Sequence, residues 1–238
     1  MEQLIFELAA PEPPQLANFL PGHNVELVAA LTRFASAPGG ETGFLLWGAA
    51  GAGKTHLLRA AVARAAETGV ATRFYGEPGA VQADHATAAI EFVAIDCVDV
   101  ADAAAAARIF TLFNTLKERG GRLVAASRMP LSTLPLREDL RTRLGWGLVY
   151  EVLALADEDK AAALVTYADH RGFRLSAEVI DYLLRHGRRD MRTLLGTLSA
   201  LDRLSLAVKR PVTVPLLKDW LRHQREPGAP NPACEDDN

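Results

Sequence analysis

The stretch FLLWGAAGAGKT, residues 44–55, determines how this sequence is interpreted. Its first four residues form a short apolar run, and the remaining eight fit the pattern G-x-x-x-x-G-K-[ST]. In such a loop the glycines let backbone N–H groups face a phosphate, the lysine reaches the outer phosphates, and the hydroxyl ligates magnesium. Residues 54–67 continue with helical spacing of apolar side chains, so the positive end of a helix points toward the same anion. The sequence therefore predicts a P-loop that binds a nucleotide, ADP or ATP, with Mg²⁺.

The predicted nucleotide-binding residues of this loop are Gly48, Gly51, Ala52, Gly53, Lys54 and Thr55. His56 follows the loop directly and is counted with them, although an ordinary helix residue is the alternative interpretation. The alternative for the whole motif is a glycine-rich turn with an incidental lysine. The apolar strand before the loop and the amphipathic helix after it favour the phosphate site.

Strand and helix signals alternate from residue 44 to residue 153. The predicted strands are 44–47, 70–75, 92–95, 123–126 and 148–153, and helices are expected over 54–67 and 103–119. Continuous apolar runs such as 92–95 are typical of strands buried on both faces. The alternation predicts an α/β fold with a parallel sheet and helices on both faces.

Asp96 directly follows the predicted strand 92–95, which places it at the edge of the sheet where the P-loop also opens. A carboxylate there can hold the magnesium ion through water, together with the hydroxyl of Thr55. Many such enzymes carry a second acid next, which orients the attacking water, but Cys97 stands at that position here and Asp99 lies two residues beyond it. We therefore expect nucleotide binding with weak intrinsic hydrolysis at most.

Beyond residue 153 the pattern becomes purely helical. Asp157, Ser176 and Asp190 are candidate N-caps of three helices, and residues 215–223 suggest a fourth. These helices predict a small all-α domain beside the α/β core. The predicted organisation is a tail and linker (1–18), an α/β nucleotide-binding domain (19–154), a helical lid domain (155–223) and a disordered tail (224–238).

The composition excludes several other classes of protein and of binding partner. The chain has 238 residues and a formal net charge of −3, which disfavours strong nonspecific DNA binding through clustered lysines and arginines. It has two cysteines, which we interpret as reduced thiols, and its histidines show no metal-ligand spacing. No basic leader precedes an apolar core, and no apolar run approaches the ~20 residues that a membrane span needs. We expect a cytoplasmic protein with no membrane association and no structural metal.

Four further segments resemble AAA+ ATPases related to the bacterial replication initiator DnaA. They are FLPGHN (19–24), Ser127 at the end of a predicted strand, RTRLGWGL (141–148) and DMRTL (190–194). The resemblance implies that Asn24 lies near the adenine, Ser127 is sensor 1, Arg143 is an arginine finger acting in trans, and Arg192 is the sensor-2 arginine. Arg141 is the main alternative for the finger, and a structural ion pair with Glu138 or Asp139 is the plain alternative for Arg143. For Arg192 the alternative is a solvated arginine on a basic helix face.

The sequence resembles one branch of this DnaA/Hda family more closely than it resembles the initiator itself. The sequence stops soon after Trp220, where the initiator continues into a DNA-binding domain, and it begins with QLIFEL (3–8). This hexapeptide is similar to peptides that dock on the replicative sliding clamp, with Gln3, Leu4, Phe6 and Leu8 as the docking residues. Asp139 departs from the initiator pattern, which has a further arginine four residues before the finger.

The resemblance implies a regulatory function. Proteins of this branch bind the β subunit of DNA polymerase III, the DNA-loaded sliding clamp, and contact ATP-bound DnaA, whose ATP hydrolysis they promote. DNA would then be reached only through the clamp, and a homo-oligomer is a further expected assembly. Two alternatives stay open at this point, an ADP-bound scaffold that tethers partners to the clamp without a catalytic contribution, and a helicase-loader-like AAA+ ATPase.

Overall fold

The computed structural model of this chain describes residues 13–37, 39–82, 90–188 and 190–225. These residues form two compact units. One spans Pro14–Leu155 and the other begins at Ala156. The predicted docking peptide at residues 3–8 and residues 226–238 of the predicted disordered tail (224–238) lie outside the described residues, whereas residues 224 and 225 are helical.

The first unit is a five-stranded parallel sheet with helices on both faces, which confirms the predicted α/β fold. Its elements in chain order are α1 (Val25–Ser36), β1 (Gly43–Trp47), α2 (Lys54–Glu67), β2 (Thr72–Tyr75), β3 (Phe92–Ile95), α3 (Ala103–Glu118), β4 (Arg122–Ser127), α4 (Glu138–Gly145) and β5 (Leu148–Glu151). The strand order is β2-β3-β4-β1-β5, and every pairing is parallel. All five strands therefore end at one edge of the sheet, which carries the P-loop, and begin at the other.

The alternation of side chains along each strand sorts the core into two layers. Phe44 and Leu46 of β1 pack with α1 and α2 on one face, whereas Leu45 packs with α3 and α4 on the other. All six residues of β4 are buried, as expected for a central strand covered on both sides.

The second unit contains four helices, α5 (Asp157–His170), α6 (Ala177–His186), α7 (Met191–Val208) and α8 (Val214–Arg225). Its core is built around an apolar stripe of α7, with Leu194, Leu198 and Leu201 fully buried against the other helices. Ser176 and Asp190 cap α6 and α7 as predicted, since their side chains accept the N–H groups of Val179 and Thr193. Across the residues that the structure describes, no helix combines the length and apolarity required to cross a membrane.

Several element boundaries differ from the sequence-based prediction, most of them by one or two residues. Asp157 is the first residue of α5 and not its cap; Ala156 takes that position, and three consecutive acids, residues 157–159, favour the helix start through the dipole. The second strand begins at Thr72 and not at residue 70. The last strand ends at Glu151, because the backbone of Leu153 bonds to the side chain of Asn24 instead of continuing the sheet.

Candidate nucleotide site

The P-loop has the curled backbone that its sequence predicts. Gly48, Gly51 and Gly53 have φ angles of 154°, 77° and 100°, values that side chains rarely tolerate. At Gly53 an added Cβ would also lie 2.7 Å from the ring of Phe19, so the loop is packed directly beneath the segment that precedes α1. The N–H groups at the start of α2 have no acceptor within the helix, which leaves them directed toward an anion.

Lys54 lies inside the loop and is 8% exposed. Its Nζ donates hydrogen bonds to the carbonyl oxygens of Gly48 at 2.7 Å and Ala49 at 2.8 Å. Burial lowers the pKa of the Lys54 ammonium, and the nearby charge of Asp96 acts in the opposite direction. A bound phosphate would supply the negative charge that this partly desolvated ammonium lacks.

The magnesium ligands predicted from sequence meet at the carboxyl edge of the sheet. Thr55 Oγ1 donates to Asp96 Oδ2 at 2.5 Å, although the two residues are 41 positions apart in the chain. Asp96 is 5% exposed, and its other oxygen accepts the N–H of Cys97 at 2.8 Å. A hydroxyl and a carboxylate at one point form the hard oxygen donor set that Mg²⁺ prefers, so these residues fit the ion. When bound, Mg²⁺ neutralises charge on the outer phosphates.

Cys97 does not offer a base at this site. Burial raises the pKa of its thiol, and Asp96 and Asp99 raise it further, so the thiol is neutral near neutral pH. The side chain of Asp99 is engaged elsewhere, since its Oδ1 accepts the N–H of Arg128 at 3.1 Å. The position after Asp96, where many such enzymes carry a second acid, therefore holds no group suited to activating water.

Two residues that were predicted to lie beside the nucleotide have side chains that form hydrogen bonds with backbone groups of the protein. Ser127 is fully buried, and its hydroxyl both donates to the carbonyl of Met129 at 2.8 Å and accepts its N–H at 2.9 Å. Asn24 Nδ2 donates to the carbonyls of Pro21 and Leu153, and its Oδ1 accepts the N–H of Leu153. Both residues therefore position backbone next to the predicted site, and a direct contact of either side chain with a nucleotide stays a prediction.

The segment before α1 covers the start of α2. The Nε2 atom of His56 lies 3.0 Å from the carbonyl oxygen of Gln15, and its ring lies 5.6 Å from that of Phe19. The sequence did not single out Gln15, and no local pattern points to it. Arg128 was also missed, although its charge acts on Lys54 and it directly follows the predicted sensor residue.

Arg143 lies at the opposite edge of the sheet from the P-loop. It belongs to α4, just before β5 begins, and its carbonyl oxygen would lie 3.9 Å from a Cβ added at Gly43, the first residue of β1. The P-loop begins after the last residue of β1, five residues later, so the strand alone separates the two sites by about 13 Å. Arg143 therefore cannot serve the P-loop of its own chain by a local contact.

Among the described residues, Arg143 forms no ion pair with an acidic side chain. Its Nε donates to Asn114 Oδ1 at 2.6 Å, and its guanidinium lies over the rings of Phe110 and Trp146. Asp139, one of the two acids considered as an ion-pair partner, pairs with Arg137 at 2.8 Å instead. Arg143 also lines an open depression of about 660 Å³ with Arg137, Glu138, Asp139 and Thr142.

Arg192 belongs to the second unit, where it occupies the first turn of α7 with an exposed side chain. Its neighbour Asp190 caps the same helix. The sensor-2 assignment stays a prediction.

The second unit also carries the clearest relationship to known proteins. Residues 157–221 match the family model described as the lid domain of Hda. This lid match supports the assignment of the chain to the Hda/DnaA family. Its helical unit is accordingly an Hda-type lid, and the recognition made from the sequence motifs is confirmed.

Solved structures of low sequence identity support the AAA+ fold. Domain III of the DnaA replication initiation protein from Thermotoga maritima aligns with a TM-score of 0.72 at 19% identity, covering 90% of this chain and 97% of that domain. AMPPCP-bound DnaA from Aquifex aeolicus aligns with a TM-score of 0.66 at 21% identity, covering 79% of this chain. This chain spans 64% of the length of that DnaA. A RuvB protein from Thermotoga maritima aligns with a TM-score of 0.66 at 17% identity, over 89% of this chain and 72% of its own.

Proposed function

We propose that this DnaA-related AAA+ protein inactivates the replication initiator DnaA by promoting hydrolysis of DnaA-bound ATP. It binds ADP or ATP with Mg²⁺ at its own P-loop, docks on the DNA-loaded sliding clamp through residues 3–8, and supplies Arg143 to the nucleotide of DnaA. DNA is reached through the clamp. The coarser part of this function, a DnaA-related regulatory AAA+ protein, follows from the family match.

The observation that carries the proposal is the location of Arg143. Its guanidinium lies at the sheet edge away from its own P-loop, it has no carboxylate partner among the described residues, and it borders an open depression. An arginine that keeps its full charge at an exposed edge can stabilise the charge on a phosphoryl group that a neighbouring subunit holds. Within the described residues, Arg141 makes no comparable side-chain contacts, which favours Arg143 over its main rival.

The chain's own nucleotide has a structural role in this proposal. Lys54, Thr55 and Asp96 bind its phosphates and metal ion, while the neutral thiol of Cys97 leaves the attacking water without a base. Slow turnover keeps the bound nucleotide in place, so the AAA+ unit holds its shape while the chemistry occurs on the partner.

A second candidate function rests on the same thiol. A protein that cannot hydrolyse its nucleotide could serve as an ADP-bound scaffold that only tethers DnaA to the clamp. This candidate shares the clamp and DnaA as partners but assigns no chemistry to Arg143.

The proposal is tested by following hydrolysis of ATP bound to DnaA after adding the protein, with and without DNA-loaded clamp. We expect hydrolysis to accelerate only when protein and clamp are both present. A matched pair of variants tests the docking peptide. Replacing Gln3, Leu4 and Phe6 by Ala should abolish clamp capture and the acceleration, whereas Glu12→Ala should retain both. If the ATP bound to DnaA is hydrolysed no faster with the protein and the clamp present, the proposed function is wrong.

A further inference from the structure

The second unit carries an open cleft between α6 and α8, with a volume of about 290 Å³. We call it the basic cleft, and it is lined by Tyr182, His186, Lys218, Leu221 and Arg222. Helical spacing assembles it, because the two residues from α6 are four apart and the three from α8 occupy positions i, i+3 and i+4. Leu183 and Leu217 of the same helices are buried in the core of the unit, so the helix pair that carries the cleft is fixed.

The charges that line the basic cleft have one sign. Its described lining residues include no carboxylate, whereas His186, Lys218 and Arg222 are all exposed there. Among the described residues, Lys218 forms no ion pair, and its Nζ lies 5.2 Å from the ring centre of Tyr182. This cation–π contact holds the ammonium at the cleft without cancelling its charge.

Two acids beside the cleft pair with arginines. Asp181 lies 2.9 Å from Arg185, and Asp219 lies 3.8 Å from Arg222. The Arg222 side chain is 79% exposed, so water screens the longer pair and leaves most of the guanidinium charge effective. The cleft therefore presents a positive field.

Positive charge also extends beyond the cleft. Residues 181–225 contain ten lysines and arginines, four aspartates and no glutamate, although the whole chain has a net charge of −3. Arg185 and Arg188 are exposed near the end of α6. An extended basic surface fits a polyanion, and duplex DNA carries one negative charge per ~1.7 Å of its axis. An extended peptide offers at most one carboxylate per ~3.4 Å, so the charge density favours DNA.

The aromatic rings of the cleft distinguish a duplex from a single strand. Tyr182 is half-buried, its ring centre lies 4.2 Å from that of His186, and it also contacts the ammonium of Lys218. Single-strand binding needs aromatic faces on which bases can stack, and these rings are already packed. The cleft is therefore suited to phosphates and not to bases.

We infer that the basic cleft binds the phosphate backbone of duplex DNA independently of base sequence, with Lys218 and Arg222 each contacting a phosphate. This contact lies apart from the P-loop and goes beyond the proposed function, in which DNA is reached through the clamp. The acidic balance of the chain makes it weak, in the range of about 10⁻⁴–10⁻⁶ M that is typical of nonspecific binding. Docking on a DNA-loaded clamp would make such a contact intramolecular, where effective concentrations on the order of mM are sufficient.

The test measures the affinity of the full-length protein for a short fluorescent duplex by anisotropy, over a series of salt concentrations. ADP and Mg²⁺ keep the P-loop filled, and neither clamp nor DnaA is present. Lys218→Ala and Arg222→Ala should each weaken binding about tenfold at about 50 mM salt. Each should also make the slope of log affinity against log salt shallower by about 0.9, as for one lost phosphate contact. Lys218→Arg should keep the wild-type slope, because the contact depends on charge.

Arg64→Ala is the control, since it removes one exposed positive charge from α2, where the guanidinium pairs with Glu67 at 2.8 Å. It should keep the wild-type affinity and slope, and equal thermal midpoints establish that the variants are folded. The inference is wrong if the wild-type protein shows no salt-dependent binding, or if Lys218→Ala and Arg222→Ala keep its slope. Tighter binding of a single strand, or equally effective displacement of the duplex by poly-glutamate or by inorganic phosphate, would also overturn it. Because the assay contains no DnaA, its outcome is independent of whether the proposed function holds.

Discussion

Asn24 provides a sharp test of how the fold supports the nucleotide site, because its amide joins two segments that are 129 residues apart. It donates to the carbonyls of Pro21 and Leu153 and accepts the N–H of Leu153, with distances between 2.8 and 3.0 Å. The residue is 4% exposed. Asn24→Ala therefore leaves the N–H and the carbonyl of Leu153 without their partner, whereas the Pro21 carbonyl keeps the backbone N–H of residue 24.

The magnitude follows from those groups. An unsatisfied buried polar group costs about 1–3 kcal/mol, and because Leu153 is 42% exposed, water compensates in part. We expect the free energy of unfolding to fall by about 2 kcal/mol, which lowers the thermal midpoint of a chain this size by about 4–8 °C. Asn24→Asp should also destabilise, because a carboxylate cannot donate to either carbonyl.

Thermal unfolding of the nucleotide-free protein measures the effect, and calorimetric titration with ADP gives the affinity of the same variant. Asn18→Ala, at an exposed position nearby, is the control and should shift the midpoint by less than half as much. The reasoning would be refuted if Asn24→Ala kept the wild-type midpoint but bound ADP much more weakly. That result would show that the amide contacts the nucleotide directly and does not stabilise the backbone.

Two further predictions concern the loop and the sheet edge. Burial lowers the pKa of Lys54 and a bound phosphate raises it again, so nucleotide binding in alkaline buffer should take up protons, and affinity should fall as pH rises through the lowered pKa. Calorimetry in buffers of different ionisation enthalpy measures this uptake, which Lys54→Ala should lack; equal heats in all buffers for the wild-type protein would contradict it. Gly147→Ala should destabilise the protein by about 3 kcal/mol in denaturant unfolding, because the new Cβ would lie 1.9 Å from the carbonyl oxygen of Gly43. Gly79→Ala, with nothing within 4 Å of its added Cβ, is the control. Equal stability of the two variants would contradict the prediction and show that the turn after α4 can move to accommodate a Cβ at little cost.

The parts of the fold that were predictable from sequence are those set by local pattern. The P-loop residues 48–55, the helix 54–67 and the caps at Ser176 and Asp190 depend on neighbours within a few positions, and the structure has them where the pattern predicts. The cap predicted at Asp157 was wrong by one residue, because a cluster of acids can start a helix through the dipole without any single capping side chain.

Apart from the meeting of Thr55 and Asp96, contacts between distant segments were not predictable. The end of β5 depends on Asn24, and the orientation of Arg143 depends on Asn114, which is 29 residues away. An ion pair with Glu138 or Asp139 was the sequence-based alternative for Arg143, because these acids are close by in the chain, whereas in the fold Asn114 of α3 bonds to its side chain. The chemistry of the site could be predicted from residue types. The partner of each side chain could be found only from the three-dimensional structure.

The central claim, that Arg143 acts on a neighbour's nucleotide, is tested most directly by single-turnover hydrolysis of DnaA-bound ATP with Arg143→Ala. The variant should fold, bind nucleotide and bind the clamp, yet lose the acceleration almost completely, since an arginine finger contributes roughly 10³ to 10⁵ in rate. Arg143→Lys should fail as well, because an ammonium cannot replace the planar fork, whereas Arg141→Ala should retain most of the activity. Full acceleration by Arg143→Ala would contradict the account and leave the ADP-bound tethering scaffold as the better explanation.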